Sequence, residues 1–277
     1  MRETISVCIL TYNEEQNIER CLASVYDWVD EIIIIDGRST DNTVKKARAF
    51  GDKVKVYSYD NPPNFLINKQ RSIDKATKDW LLQLDADEVV SKQLKSETLA
   101  VLNLEPGTWN KNTVAYWIPR LTYFLGSPLR KGGQYPDYCL RFYRKGIAQL
   151  PLKTIHDQVK INLTKAKKSF DLKEANIDYL KGNLEHFSYP DFNVYLRKWI
   201  QYGDYEGNKL YKQNESISIG NFVKYFGWLP LAWFVKTYFR HKGFQDGLAG
   251  FVFSVFSALR YWLAYINLYE KHQSKQA

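Results

Sequence analysis

The segment Glu31-Ile32-Ile33-Ile34-Ile35-Asp36-Gly37-Arg38-Ser39-Thr40-Asp41-Asn42-Thr43 decides how the first hundred residues fold. Four consecutive isoleucines are apolar on both faces of an extended chain, as a strand covered on both sides requires, and the run stops abruptly at Asp36 and Gly37. The same pattern lies to either side. Ile5 to Thr11 is a β-branched apolar run that ends in Thr11-Tyr12-Asn13-Glu14-Glu15, and Glu14 to Val29 has helical spacing through Ile18, Cys21, Leu22 and Val25. Downstream, the spacing predicts a helix over 40–50 capped by Ser39 or Thr40, a strand over 53–58, a helix over 68–77 and a strand over 80–84 ending in Asp85. Continuous apolar strands joined by helices predict an α/β fold with a mostly parallel central sheet flanked by helices. Ligands of such sheets bind outside the carboxyl ends of the strands, where the polar clusters 11–15, 36–43 and 85–88 each fall.

After a helix around 91–102, the pattern changes. Residues 105–112 form a loop rich in Pro, Gly and Asn, and strands are expected over 113–119, 138–143 and 159–163, separated by turn-rich stretches such as 126–137. From Tyr189 the chain reads helical and aromatic, without an internal repeat.

The 277 residues carry 39 Lys plus Arg against 30 Asp plus Glu, a net charge of +9; 45% are apolar and 25% charged, which excludes disorder, collagen and coiled coil as the main organisation. The aromatic fraction of 16% is high. Basic and aromatic together admit nucleic acid, sugar or a membrane surface as partner. The excess is concentrated in 221–269, where Lys224, Lys236, Arg240, Lys242 and Arg260 face a single acid, Asp246. Two apolar stretches there, 226–239 and 247–259, are too short to predict a spanning helix. They suit helices lying in the headgroup region, or a subdomain packing its aromatics on the catalytic domain. Cys8, Cys21 and Cys139 form no paired spacing, and the apolar run 5–10 is too short for a signal peptide, so a reduced, cytoplasmic chain is expected.

The polar clusters carry the candidate chemistry. Asp85 and Asp87, two apart after a strand, can hold a hard divalent cation, Mg²⁺ or Mn²⁺, that also bridges a diphosphate; the alternative is an acidic turn capping the next helix. Asp36 is placed to accept hydrogen bonds from a ribose hydroxyl or a base N–H, whereas Thr40 and Asp41 read as capping residues. Thr11 and Asn13 are candidates for a base pocket, and Glu14 and Glu15 suit the positive end of the following helix. No G-x-G-x-x-G and no Walker A sequence occurs, so neither a dinucleotide site nor a P-loop is supported.

In order and spacing, Thr11-Tyr12-Asn13-Glu14-Glu15, Asp36-Gly37-Arg38-Ser39-Thr40-Asp41-Asn42-Thr43 and Asp85-Ala86-Asp87-Glu88 resemble the three successive motifs of family 2 glycosyltransferases with the GT-A fold. Residues 132–137, 140–144, His156-Asp157 and 242–247 resemble, more loosely, the bacterial subgroup that includes lipopolysaccharide inner-core β-glucosyltransferases. The resemblance implies a catalytic domain over 1–190, with a nucleotide-sugar-binding half over 1–104 and an acceptor-side half over 105–190, followed by a helical extension over 191–277. It implies an inverting, metal-dependent transfer of a hexose from a nucleotide-diphosphate donor, with UDP expected, to a hydroxyl of a lipid-linked or surface-glycan acceptor, at the inner face of the cell membrane. Carried over, Thr11, Tyr12, Asn13, Glu14, Glu15, Asp36, Asp85 and Ala86 contact the nucleotide sugar, and Asp87 joins Asp85 on the metal. His186 falls where some members place a third metal ligand or a diphosphate contact, or is structural. Arg38 stands where the family has a small residue and either reaches a donor phosphate or points into solvent. Lys69 and Arg71 are candidates for phosphate or structural contacts. The base that accepts the acceptor proton is expected at Asp157, with Asp137 as the alternative. A nucleotidyltransferase would need a glycine-rich basic triphosphate loop, which is absent, and a nucleic-acid-binding protein would not place three acidic loops at one sheet edge.

Overall fold

A computed structural model describes residues 2–103, 112–153 and 158–274. Two compact units emerge: residues 1–120 with 137–186, and residues 121–136 with 187–277. The hairpin segment 121–136, read from the sequence as part of the first domain, joins the second.

In the first unit, β1 (Ile5–Thr11), α1 (Ile18–Ala23), β2 (Glu31–Asp36), α2 (Thr43–Arg48), β3 (Val54–Ser58), α3 (Leu66–Lys75), β4 (Trp80–Asp85), β5 (Glu88–Val90) and α4 (Lys92–Leu102) follow one another. Next come β6 (Thr113–Phe124), β7 (Ser127–Pro128), β8 (Asp137–Arg144), the small pair β9 (Ala148–Gln149) and β10 (Lys160–Ile161), α5 (Leu163–Phe170), β11 (Asn176–Tyr179) and β12 (Leu184–His186). The sheet runs β3-β2-β1-β4-β8-β6-β12-β5, with β11 beside β6. The β1–β2, β1–β4 and β2–β3 pairs are parallel, while β8 is antiparallel to β4 and to β6. This is the mixed sheet with flanking helices of the GT-A fold.

The isoleucines of β2 are buried throughout and share one core with Ile5, Val7 and Ile9 of β1 and Leu82 and Leu84 of β4. Trp80 stacks on Phe142 with ring centroids 4.6 Å apart, which fastens the antiparallel half to the parallel half. The register aligns Thr11 with Asp36 and Leu10 with Asp85. Three strand ends therefore meet at one edge.

The first helix is shorter than its apolar spacing predicts. Glu14 and Glu15 are drawn into hydrogen bonds with the 36–43 segment: the Glu14 N–H donates to Thr43 Oγ1 at 2.7 Å, and Glu15 Oε2 accepts from the Asn42 N–H at 3.0 Å. α2 starts at Thr43 rather than near residue 40, with Asn42 at its N-cap and no side-chain cap bond, because Ser39 is spent on Asp36. Asp41 Oδ1 accepts from the Thr43 N–H at 3.0 Å and braces the turn before the helix.

The second unit contains the end of β6 with β7, then α6 (Phe192–Lys212), α7 (Ile219–Val223), α8 (Leu229–Phe234) and α9 (Gly247–Gln273), with π-helical turns over 224–228 and 235–240. α6 lies against α9 because Gly203 and Gly207 leave room for Leu263 and Asn267, where a Cβ would collide. Phe124, Leu129, Tyr195 and Ala249 form one buried cluster of this unit, and Tyr225, Tyr265 and Leu268 another. The two apolar stretches of the sequence do not behave alike. Residues 243–273, a 3-10 turn running into α9, are by length and composition long and apolar enough to cross a membrane, because Arg260 interrupts the apolar sequence without breaking the helix.

Candidate active site

All residues of the candidate site with described coordinates lie in the first unit. Asp36 ends β2 and is buried; its Oδ1 accepts from Thr11 Oγ1 at 3.1 Å and Ser39 Oγ at 2.6 Å, and its Oδ2 accepts from the Ser39 N–H at 3.0 Å. The Asn13 N–H donates to Ser39 Oγ at 2.9 Å, while Asn13 Oδ1 accepts from the Thr40 N–H at 2.8 Å. The first two motifs are thus laced into one rigid rim, and Tyr12 projects from it, 49% exposed. Arg38 adopts a left-handed backbone (φ +63°), a conformation that favours glycine, and its guanidinium pairs with Asp60 at 2.8 Å on the surface.

The third motif is built differently. Asp85 lies between two buried cations, Lys69 Nζ at 2.5 Å and Arg141 Nη2 at 2.6 Å. Lys69 comes from α3, which packs on β1, and Arg141 from β8, whose antiparallel register with β4 (Leu82 opposite Phe142) brings it alongside. Burial opposes the Asp85 charge, but the charges of Arg141 and Lys69 outweigh it and hold the carboxyl far below the usual carboxylate range. For Lys69, burial together with the Arg141 charge pushes the ammonium down. Glu88 is fully buried; its Oε2 accepts from the Asp85 N–H at 2.8 Å, and its Oε1 lies 3.6 Å from Arg141 and 3.8 Å from Arg120. Ala86, buried, forms the tight turn between Asp85 and Asp87.

Because β12 is antiparallel to β5 with His186 opposite Glu88, the His186 ring reaches Asp87: Nε2 and Oδ2 are 3.4 Å apart. No cluster of three or more metal-ligating side chains occurs among the described residues. One carboxylate and one imidazole nevertheless fit a divalent transition ion such as Mn²⁺ that keeps waters beside phosphate oxygens, whereas Mg²⁺, which takes oxygen ligands, would use the carboxylate alone. With both Asp85 oxygens engaged by cations, Asp87 and His186 are the pair that would hold such an ion.

Arg71 is turned away from Asp85: its guanidinium stacks on Tyr59 at 4.5 Å and donates to Asn68 Oδ1 at 2.8 Å. Asp137 is tied to Arg120, whose Nε donates to Oδ2 at 2.9 Å. Asp157 lies outside the described residues. Sequence reading did not assign Arg141, Arg120 or Glu88 a place in the site, although Glu88 closes the 85–88 motif and Arg141 is an arginine among the apolar residues 140–143.

A parallel half-sheet with polar strand ends, an acidic turn after the central strand and an antiparallel continuation define the GT-A fold. The model of glycosyl transferase family 2 matches residues 6–108. An uncharacterized glycosyltransferase of Rickettsia typhi, RT0209, is 30% identical over 96% of this chain and 87% of its own. The chain belongs to glycosyltransferase family 2. It is also similar to the lipopolysaccharide core biosynthesis glycosyltransferase LpsC of Rhizobium meliloti, 24% identical over 98% of this chain and 94% of that one. Among solved structures, the mannosyltransferase PcManGT of Pyrobaculum calidifontis, in complex with GDP-Man and Mn²⁺, superposes with a TM-score of 0.53 over 97% of this chain and 87% of that one at 12% identity, a likeness of fold.

Proposed function

We propose that this glycosyltransferase moves a hexose, with inversion, from a UDP-sugar to a hydroxyl of a lipopolysaccharide-core or other surface-glycan acceptor. The observation that carries this reading is the third motif: Asp85 fixed by Lys69 and Arg141 beside the Asp87–His186 pair, at the edge where Thr11 and Asp36 also end their strands. The rim of Thr11, Tyr12, Asn13 and Asp36 receives the nucleoside, with Glu14 and Glu15 bracing it. Lys69 and Arg141 position Asp85 toward the ribose and donor sugar and add positive field for the diphosphate. A divalent cation on Asp87 and His186 supplies charge neutralisation for the departing diphosphate.

Inversion is a single in-line displacement. The acceptor oxygen attacks the anomeric carbon, the bond to the diphosphate breaks, and a carboxylate takes the acceptor proton. We assign that carboxylate to Asp157, with Asp137 second because Arg120 engages it. The similarity to LpsC over nearly the whole chain supports a lipopolysaccharide-core acceptor. Exposed Ile219 (85%), Leu248 (72%) and Trp228 (67%) in a basic, aromatic unit support peripheral contact with the inner face of the cell membrane.

The test is UDP release from a panel of UDP-sugars with a glycan acceptor and Mn²⁺. Donor-dependent release, abolished by chelator and restored by Mn²⁺ or Mg²⁺, is expected; full activity in chelator would reject the metal role, and no release from any donor would reject the donor class. Flotation with anionic liposomes tests the membrane contact, and protein remaining at the bottom at low salt would reject it.

A further inference from the structure

The second unit contains a cavity of about 270 Å³ that the transfer chemistry does not use. It opens between α6 and α9. One helical face of α6 lines it through Tyr195, Lys198, Trp199, Tyr202 and Glu206, which lie three, four, seven and eleven residues along from Tyr195, and α9 adds Phe253 and Arg260. The aromatic wall is rigid. Tyr195 is buried, and the Trp199 indole N–H donates to the Phe256 carbonyl at 2.8 Å, which fixes the ring plane.

The two cations are held without being neutralised. Lys198 Nζ donates to the Ser188 carbonyl at 3.1 Å, and the Arg260 guanidinium lies over Trp233 at 4.3 Å and Tyr261 at 5.1 Å. Among the described residues neither forms an ion pair with a carboxylate. Ring faces steady a cation but leave its charge available, and partial burial strips water from it, so such a pair attracts an anion. An isolated phosphate would leave the aromatic wall unused and would meet the Glu206 carboxylate. An alkyl chain would face three charged groups. A sugar ring uses every element: its C–H face lies on the aromatic wall, its hydroxyls donate to Glu206, and an acidic substituent meets Lys198 and Arg260. The volume falls just below the range of about 300–1,000 Å³ usual for small-molecule sites, which suits one ring rather than an oligosaccharide.

We propose that this cavity binds a single anionic sugar unit, carrying a carboxylate or phosphate, of the acceptor glycan; its assignment to the acceptor rests on the transferase reading of the first unit. The test titrates the full-length protein with glucuronic acid, glucose 6-phosphate, glucose and inorganic phosphate, following tryptophan fluorescence and saturation-transfer NMR, with UDP binding in Mn²⁺ measured in parallel. Both anionic sugars are expected to bind about tenfold tighter than glucose or phosphate, as a charge-assisted hydrogen bond commonly gives. Arg260→Gln and Lys198→Gln should each erase that preference and leave UDP binding unchanged. Lys198→Gln decides the matter if Arg260→Gln, which also loses its stacking on Trp233, fails to fold. Equal binding of glucose, equal binding of free phosphate, or an unchanged preference in Lys198→Gln would overturn the proposal. Loss of UDP binding with retained anionic-sugar binding would contradict the donor site instead.

Discussion

Two carboxylates, buried Glu31 and half-buried Asp85, sit at opposite ends of the parallel sheet and are satisfied in different ways. Glu31, at the start of β2, accepts from Ser6 Oγ at 2.6 Å, Lys55 Nζ at 2.8 Å and the Thr77 N–H at 2.8 Å. Burial opposes its charge, but the hydrogen bonds from Lys55, Ser6 and Thr77 win and lower its pKa to about 2. Its partners are mostly neutral or reach in from the surface, and they close the network. Asp85, half-buried at the end of β4, is held by two buried cations, and the adjoining Asp87 and His186 lie at the same strand end. The first network closes on itself and stabilises the sheet; the second gathers charges from three separate elements at a desolvation cost that stability alone would not justify, the arrangement expected of a ligand site.

Substitutions at the two ends should therefore separate activity from stability. Asp87→Asn is expected to lower turnover by about a thousandfold, the scale of losing transition-state charge stabilisation, with the thermal midpoint nearly unchanged. A midpoint falling as at the other end of the strands would erase the distinction. Asp85→Asn should lose activity and also cost about 3–5 kcal/mol in urea unfolding, since it leaves Lys69 and Arg141 buried beside one another.

Glu31→Gln should cost ~2–3 kcal/mol at neutral pH while the folded fraction keeps normal turnover. The sign follows from the lowered pKa. The Glu31 contribution is complete above the ordinary carboxylate range and fades as pH falls toward about 2, so wild type and variant should converge there in unfolding experiments. A gap independent of pH would show that packing, not charge, is lost. The smallest effect is expected away from both clusters: Gly203→Ala, whose methyl would press on Leu263, should cost about 1–3 kcal/mol and leave UDP binding in the first unit intact.

The parallel half was legible because its signals are local. Apolar runs that halt at Asp36, or at Asp85 after Leu84, mark both a buried strand and its polar carboxyl end within a few residues. Of the two cations on Asp85, Lys69 was a candidate from the sequence, but Arg141 was not legible, since it faces Asp85 only through the β4–β8 register, 56 residues away in sequence, and within its own strand it looks like any outward polar residue. Helix ends were misjudged where tertiary hydrogen bonds competed: the apolar spacing of 14–29 was real, but Glu14 and Glu15 spend their hydrogen bonds on the neighbouring motif. His186 was selected by its place in the chain, and only the β5–β12 pairing explains how it reaches Asp87.

The central claim is that the carboxyl end of the parallel strands binds a nucleotide sugar through Asp87. Calorimetric titration of UDP-sugars in Mn²⁺, on wild type and Asp87→Asn, tests it most directly. Saturable binding that disappears in chelator and weakens at least about tenfold in the variant is the predicted result. Binding of equal strength in both proteins, or none in either, would contradict it.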